Sequence, residues 1–291
     1  MAVGSPAELP SSLSVTDLLA PFRSDPPGSA ILCDFDGTLA PIVDDPAAAR
    51  PLAGAAATLA GLARRYGCAG VISGRPAGFL AAHFGGRGLL LSGLYGLEEV
   101  DAGGAVRAAA GAERWRPAVE AAARAAEADL PADVGVERKG LSVTVHYRTS
   151  PAQGPAVARW AAAHAAASGL VLHPARMSCE LRPPVRRDKG TVVAEVGAGR
   201  RQVCFLGDDL GDLSAFDALD RLAAAGATAL RVGVASREAP AELLDRADTV
   251  VDGPAGALTL LRALLVGEQG PSGPLSGGQG PSGPLSREQA F

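Results

Sequence analysis

With 291 residues the chain is long enough for two domains, and 47% hydrophobic residues supply a full core; charged residues are 20% and the formal net charge is -4. That mildly acidic balance, with no basic stripe, excludes the electrostatic footprint of a nucleic-acid binder, and no apolar run is long enough to span a membrane. The first basic residue is Arg23, with no apolar leader behind it, and Cys33, Cys68, Cys179 and Cys204 form no CxxC pair, so a cytoplasmic setting is expected rather than secretion and a disulfide framework.

Residues 1–27 read as a Pro-, Ser- and Ala-rich arm with a helical pattern near Val15–Phe22. Ala30–Asp34 predicts a buried strand that runs into the polar loop DFDGT. Pro51–Tyr66 predicts a helix with leucines on one face, Cys68–Ile72 a strand ending in SGRP, and Gly88–Ser92 a third strand. This rhythm implies a parallel sheet, and residues 28–104 are taken as the first part of a core domain.

The rhythm then changes. Glu113–Leu130 reads as a helix, Val134–Lys139 and Leu141–Arg148 as strands, Gly154–Ser168 as a helix, and Leu170–Pro174 and Ser178–Arg182 as strands. Residues 105–185 are therefore expected to form an inserted α+β cap domain, with Trp115 and Trp160 packing on its sheet. From Lys189 the alternation resumes: helix Thr191–Val196, strand Gln202–Leu206, helix Ser214–Ala223, strand Ala229–Val234, helix Ala239–Arg246, strand Thr249–Val251 and helix Ala255–Leu265. Residues 186–266 would complete the core. The tail, 267–291, repeats QGPSGPLS and is expected to be disordered.

Four segments fall at strand ends, where open α/β sheets bind ligands. In the first, Asp34 and Asp36 flank Phe35. A carboxylate that attacks phosphorus gives an acyl-phosphate, and a neighbouring carboxyl can protonate the leaving group and then deprotonate water. Asp34 is read as the nucleophile and Asp36 as the general acid/base. In the second, Ser73, Gly74 and Arg75 offer a hydroxyl, backbone N–H groups and a cation to phosphate, although a plain helix cap is an equal reading. The third is Lys189. Of 27 basic residues only Lys139 and Lys189 are lysines, and a compact ammonium suits both the Asp34 carboxylate and a phosphate oxygen. The fourth crowds Asp208, Asp209 and Asp212 after an apolar strand, which calls for a cation, and such a donor set suits Mg²⁺.

In this order the four resemble the motifs of the haloacid dehalogenase-like phosphatases over residues 30–266. The resemblance implies a Rossmann-like α/β core with a parallel sheet and the inserted cap. It also implies Mg²⁺ held by the Asp34 carboxylate, the Asp36 carbonyl and Asp208, with Asp209 or Asp212 completing the shell through water. The longer series DFDGTLAPIVDDP, VISGRP, GLYGLE, HYR, CELRPP, DKG and GDDLGD is similar to the trehalose-6-phosphate phosphatases. It departs from them at Gly93-Leu94-Tyr95-Gly96, where GSHG is common, and at Gly211, where threonine is common.

The resemblance implies hydrolysis of trehalose 6-phosphate and a functional link to a trehalose-6-phosphate synthase. A polyhydroxylated sugar needs many hydrogen-bonding groups around it. The substrate-facing set is accordingly taken as Asp34, Phe35, Asp36, Tyr95, Lys139, Tyr147, Arg148, Glu180 and Arg182. Rival readings are a phosphatase for sucrose phosphate or mannosyl-phosphoglycerate, a phosphotransferase, and a non-catalytic sugar-phosphate sensor.

Overall fold

The computed structural model describes residues 14–43, 45–85, 88–175, 177–236 and 239–266. The repeated tail from residue 267 lies outside them. Helix α1 (Val15–Ser24) opens on a capping box between Ser14 and Asp17. There follow β1 (Ser29–Cys33), α2 (Ala55–Arg65), β2 (Cys68–Ile72), α3 (Ala77–Phe84), β3 (Leu90–Gly93) and two short strands, β4 (Glu98–Val100) and β5 (Val106–Ala108). The middle of the chain holds α4 (Arg116–Asp129), β6 (Gly135–Arg138), β7 (Val143–His146), α5 (Gly154–Ser168), β8 (Val171–Ala175) and β9 (Ser178–Arg182). The last part is α6 (Lys189–Gly197), β10 (Gln202–Gly207), α7 (Leu213–Ala224), β11 (Thr228–Ala235), α8 (Ala241–Asp245), β12 (Thr249–Asp252) and α9 (Gly253–Ala263).

Eight strands form one sheet in the order β12-β11-β10-β1-β2-β3-β4-β5. It is parallel from β12 to β3 and antiparallel at the β4–β5 edge. Strand β1 is central and buried throughout, because helices cover both faces of the sheet. Its side chains alternate between two core layers. Ile31 and Cys33 meet Leu59, Leu80 and Leu261, whereas Ala30 and Leu32 meet Val193, Phe216 and Leu219. Leu19 and Phe22 of α1 are fully buried in the first layer, so the helix within the segment read as an arm docks on the core through these two residues. Val106–Ala108, which the sequence pattern counts with the inserted unit, pairs with β4 and extends the large sheet.

The second sheet, β6-β7-β9-β8, is antiparallel throughout. Val143, Val145, Cys179 and Leu181 point to α4 and α5 and form a separate core with Val119, Ala123 and Val157. Trp115 and Trp160 pack against that core, as expected. The alternate residues, Thr144, His146, Ser178, Glu180 and Arg182, therefore take the opposite face, away from the helices. No helix among the described residues is long and apolar enough to cross a membrane.

Candidate active site

The site is assembled at the carboxyl ends of β1, β2 and β10. The Asp34 N–H donates to the Leu206 carbonyl at 2.9 Å, which fixes the loop after β1 beside the end of β10. Gly37 turns that loop with φ +74°, and a Cβ there would stand 1.9 Å from Asp208 Oδ2. Only glycine allows this conformation together with such close approach to a carboxylate. Thr38 Oγ1 donates to Asp208 Oδ1 at 3.2 Å.

Lys189 is the first residue of α6, behind an Asp188 cap, and is only 2% exposed. Its Nζ lies 2.9 Å from Asp34 Oδ1 and 2.6 Å from Asp212 Oδ1. Asp212 is fully buried, and its Oδ2 accepts from the N–H groups of Asp208 (2.9 Å) and Asp209 (3.2 Å). Asp212 thus holds the lysine with one oxygen and shapes the acidic loop with the other. Asp209 is exposed, and its Oδ1 accepts from the Gly211 N–H at 2.8 Å. Gly211 keeps that turn through its backbone without the threonine common at this position.

Carboxylate oxygens of Asp34, Asp208 and Asp212 all lie within 4.8 Å of one another. Burial, with Asp212 and Asp208 beside it, pushes the Asp34 carboxyl well above the usual range, and Lys189 only opposes this. Burial likewise raises Asp208 to about 8 and Asp212 to about 6, with their acidic neighbours adding to it. Burial works against the Lys189 charge, yet Asp212 and Asp34 hold its ammonium well above the ordinary value. Three buried acids facing one buried ammonium leave negative charge uncompensated. An all-oxygen donor set with that deficit fits a hard divalent cation.

Asp36 is turned away from this cluster. Arg75 Nε and Nη2 donate to its two oxygens, each at 2.7 Å, and Arg75 Nη1 donates to the Pro46 carbonyl at 2.7 Å. The cation read as a phosphate ligand is thus held by Asp36. Ser73 is buried, and its Oγ accepts from the Arg75 N–H at 3.2 Å. It does not cap α3; Glu98 Oε2, reaching over from β4, accepts from the Ala77 N–H at 3.1 Å.

Above the loops stands the open face of the second sheet. Asp34, Asp36, Lys189, Asp208, Ser73, Gly74, Arg75 and Tyr95 share a cavity of about 290 Å³ with Glu137, Lys139, His146 and Arg148. Lys139 Nζ is 3.6 Å from Glu137 Oε2, and His146 Nε2 is 2.9 Å from the same oxygen. Burial acts against the Glu137 charge, but His146, Lys139 and Arg75 together hold its carboxyl below the usual range.

Four residues expected to face substrate do not line this cavity; one is Arg182, which is paired with Glu180 and stacked on the Tyr95 ring. The Phe35 ring is fully buried in the core, edge-on to Phe79 and Phe84, because it continues the inward alternation of β1. Tyr147 follows Val143 and Val145 onto the helix side of the second sheet and packs on its core. Glu180 is 3% exposed and lies beneath the cavity wall, accepting from Ser142 Oγ at 2.7 Å and from Arg182 Nε at 2.9 Å. Glu137 and His146 line the cavity but were absent from the expected set. Period-two alternation marks both: Glu137 shares a face with Lys139, and His146 shares one with Arg148. Ile42, Val43 and Pro46 add an apolar wall from the loop after Asp36.

A largely parallel sheet thus carries the Asp34, Ser73 and Asp208 segments at its carboxyl edge, with Lys189 at the start of α6 beside them and an α+β insertion above. The family model for trehalose-phosphatase matches residues 32–244, and the chain belongs to that family. It is 39% identical over 203 residues to a protein of Mycolicibacterium paratuberculosis named trehalose-phosphate phosphatase, covering 65% of this chain and 51% of that one. The chain thus spans about half the length of the mycobacterial relatives. A Sinorhizobium fredii protein named probable trehalose-phosphate phosphatase is 31% identical over 227 residues, covering 75% of this chain and 82% of that one. Among solved structures, the C-terminal domain of Candida albicans trehalose-6-phosphate phosphatase superposes with a TM-score of 0.70 at 24% identity, covering 90% of this chain and 99% of that one. At that identity the likeness speaks for the fold.

Proposed function

We propose that this chain hydrolyses trehalose 6-phosphate to trehalose and phosphate in the cytoplasm, with Mg²⁺, through an aspartyl-phosphate on Asp34. The observation that carries this is the buried Asp34–Lys189 pair, 2.9 Å apart, in a cavity whose other wall bears Glu137 and Lys139. A carboxylate so placed meets phosphorus, and the opposite wall meets only the alcohol.

Lys189 works against the burial that pushes the Asp34 carboxyl up, and Asp212 keeps Lys189 in place. The arriving phosphate offers Arg75 a second anion, which frees Asp36 from its bidentate pairing. Asp34 then attacks phosphorus. Asp36, once released from Arg75, takes up a proton from solvent; the Asp34 O–P bond forms, the P–O bond to the sugar breaks, and Asp36 passes that proton to the leaving alkoxide. In the second half Asp36 takes a proton from water, the water oxygen attacks phosphorus, and phosphate leaves Asp34 free. Ser73 and the Gly74 N–H steady the phosphoryl oxygens. Asp34, Asp208 and the Asp36 carbonyl, with Asp209 or Asp212 behind them, would hold Mg²⁺, which would supply screening between carboxylate and phosphate. The sugar lies against Glu137, Lys139, His146 and Arg148. A synthase that makes trehalose 6-phosphate is the expected supplier of substrate.

The test is phosphate release from a panel of sugar phosphates, with and without Mg²⁺. Trehalose 6-phosphate should give the highest kcat/KM. A higher value on sucrose phosphate or mannosyl-phosphoglycerate would move the assignment to that ester.

A further inference from the structure

The catalytic cavity has a neighbour. A larger space of about 1260 Å³ opens between β8, β9, the 183–188 connection and the acidic loop. Tyr95, Ala175 and Asp209 line both spaces, so they stand in the wall between them.

Tyr95 is held there by unusual means. Leu94 and Tyr95 both have positive φ, +48° and +59°, a conformation that side chains rarely adopt. Their N–H groups donate to the carbonyls of Arg75 and Ser73, each at 2.9 Å, which fastens the strained turn to the phosphate loop. The end of the ring rests on Gly74, where a Cβ would come within 2.6 Å of Tyr95 Cζ. From the other sheet, the Arg182 guanidinium carbon stands 3.6 Å from the ring centroid. Arg182 is aimed by Glu180, and Glu180 by Ser142. A strained backbone persists where its surroundings over-determine it, and such places concentrate at functional sites.

We propose that the Tyr95–Arg182 stack is a size filter: it clasps the second sheet to the core and closes the catalytic cavity off from the larger space, so that it sets the bulk of the alcohol accepted. The proposal rests on the reading of the chain as a sugar-phosphate phosphatase. It gives Tyr95 and Arg182 a positioning role in place of direct contact with sugar hydroxyls. Cation–π contact needs the ring and not the hydroxyl, so phenylalanine should serve in place of Tyr95.

The test uses glucose 6-phosphate, trehalose 6-phosphate and a maltotriose phosphate. Each is scored as substrate and as competitor of p-nitrophenyl phosphate hydrolysis. Tyr95→Gly removes the ring while easing the strained backbone, and Arg182→Ala opens the wall from the other side. In both, kcat/KM for the trisaccharide ester relative to the disaccharide ester should rise about tenfold or more. Tyr95→Phe should keep the wild-type ratio within about twofold, and the double variant should gain nothing over either single, since one breach already opens the wall. If Tyr95→Gly fails to fold, Arg182→Ala carries the same measurement. An unmoved size profile, or equal loss on every ester, overturns the filter. A wild type that prefers another sugar ester overturns the proposed substrate while the shift in profile still decides the filter. If no ester is hydrolysed or competes, both readings fall.

Discussion

Lys189 Nζ lies 2.9 Å from Asp34 Oδ1, with both side chains buried at the end of the central strand. The pair is not a neutral structural salt bridge, because Asp208 and Asp212 crowd the same space and leave the carboxylates in excess. Asp34→Asn keeps size and removes one of the crowded charges. It should abolish phosphate release, a loss of at least about a thousandfold in kcat. The melting temperature of the metal-free protein should stay level or rise, because repulsion falls. Near-normal turnover in this variant would show that Asp34 is not the nucleophile.

Removing the other partner should act in the opposite sense. Lys189→Met leaves Asp34 and Asp212 without their cation in a buried site. Deleting one side of a buried charged pair costs roughly 3–5 kcal/mol. Urea unfolding in EDTA should show that loss at pH 8 and a smaller one near pH 5, where the freed acids take up protons. Full stability at pH 8 would mean that the lysine does not compensate the cluster.

The acids also predict a metal-dependent pH profile. In the folded, metal-free protein Asp212 is raised to about 6 and Asp208 to about 8, from an ordinary value of 3.8. The native state therefore binds more protons than the unfolded chain between these limits, and stability falls as pH rises. It is fully present below 3.8 and is lost as pH passes through about 6 and about 8. Mg²⁺ binds the ionised form and should flatten the slope, adding about 2.7 kcal/mol at a hundred times its dissociation constant. Melting curves from pH 4 to 9, with Mg²⁺ or with EDTA, check this. Parallel curves under the two conditions would exclude metal binding at the cluster.

The candidate site was largely legible because most of its segments follow strand ends. DFDGT, SGRP and GDDLGD each follow a strongly apolar strand, and the parallel sheet brings those ends together, while DKG opens α6 beside them. What the sequence hid were facts of facing and docking. Tyr147 looked like a ligand by composition, but it shares a face with Val143 and Val145. Glu137 and His146 look like ordinary charged strand residues until the second sheet shows which side is open. Glu98 reads as one acid among several, and only the antiparallel pairing of β4 to β3 brings it to the start of α3. Leu19 and Phe22 sit in a Pro-rich segment whose composition suggests an arm, and their burial depends on contacts with remote helices. Pairing of Asp36 with Arg75, 39 residues away, leaves no local signal.

The last prediction separates recognition from architecture in the second sheet. Lys139 lines the cavity, with its Nζ 3.6 Å from Glu137 and 3.7 Å from Glu180. If it is cut back, Glu137 keeps His146 and Glu180 keeps Arg182 and Ser142, so no buried charge is orphaned. Lys139→Ala should therefore melt close to wild type. It should still lose about ten- to a hundredfold in kcat/KM on trehalose 6-phosphate, the equivalent of a charged hydrogen bond of roughly 1.5–3 kcal/mol. On p-nitrophenyl phosphate it should lose little, since the catalytic loops act on the phosphoryl group that both esters share. Glu180 differs. Burial acts against its charge, but Lys139 and Arg182 overcome this and hold its carboxyl below the usual range. Glu180→Ala strands Arg182 and weakens the contact to Tyr95. It should cost about as much as breaking any buried ion pair, roughly 3–5 kcal/mol, and should lower the melting temperature as well as the preference for the sugar ester. Matching losses on both substrates for Lys139→Ala would assign that lysine to the phosphate or the fold, and the sugar-facing reading of the second sheet would fail.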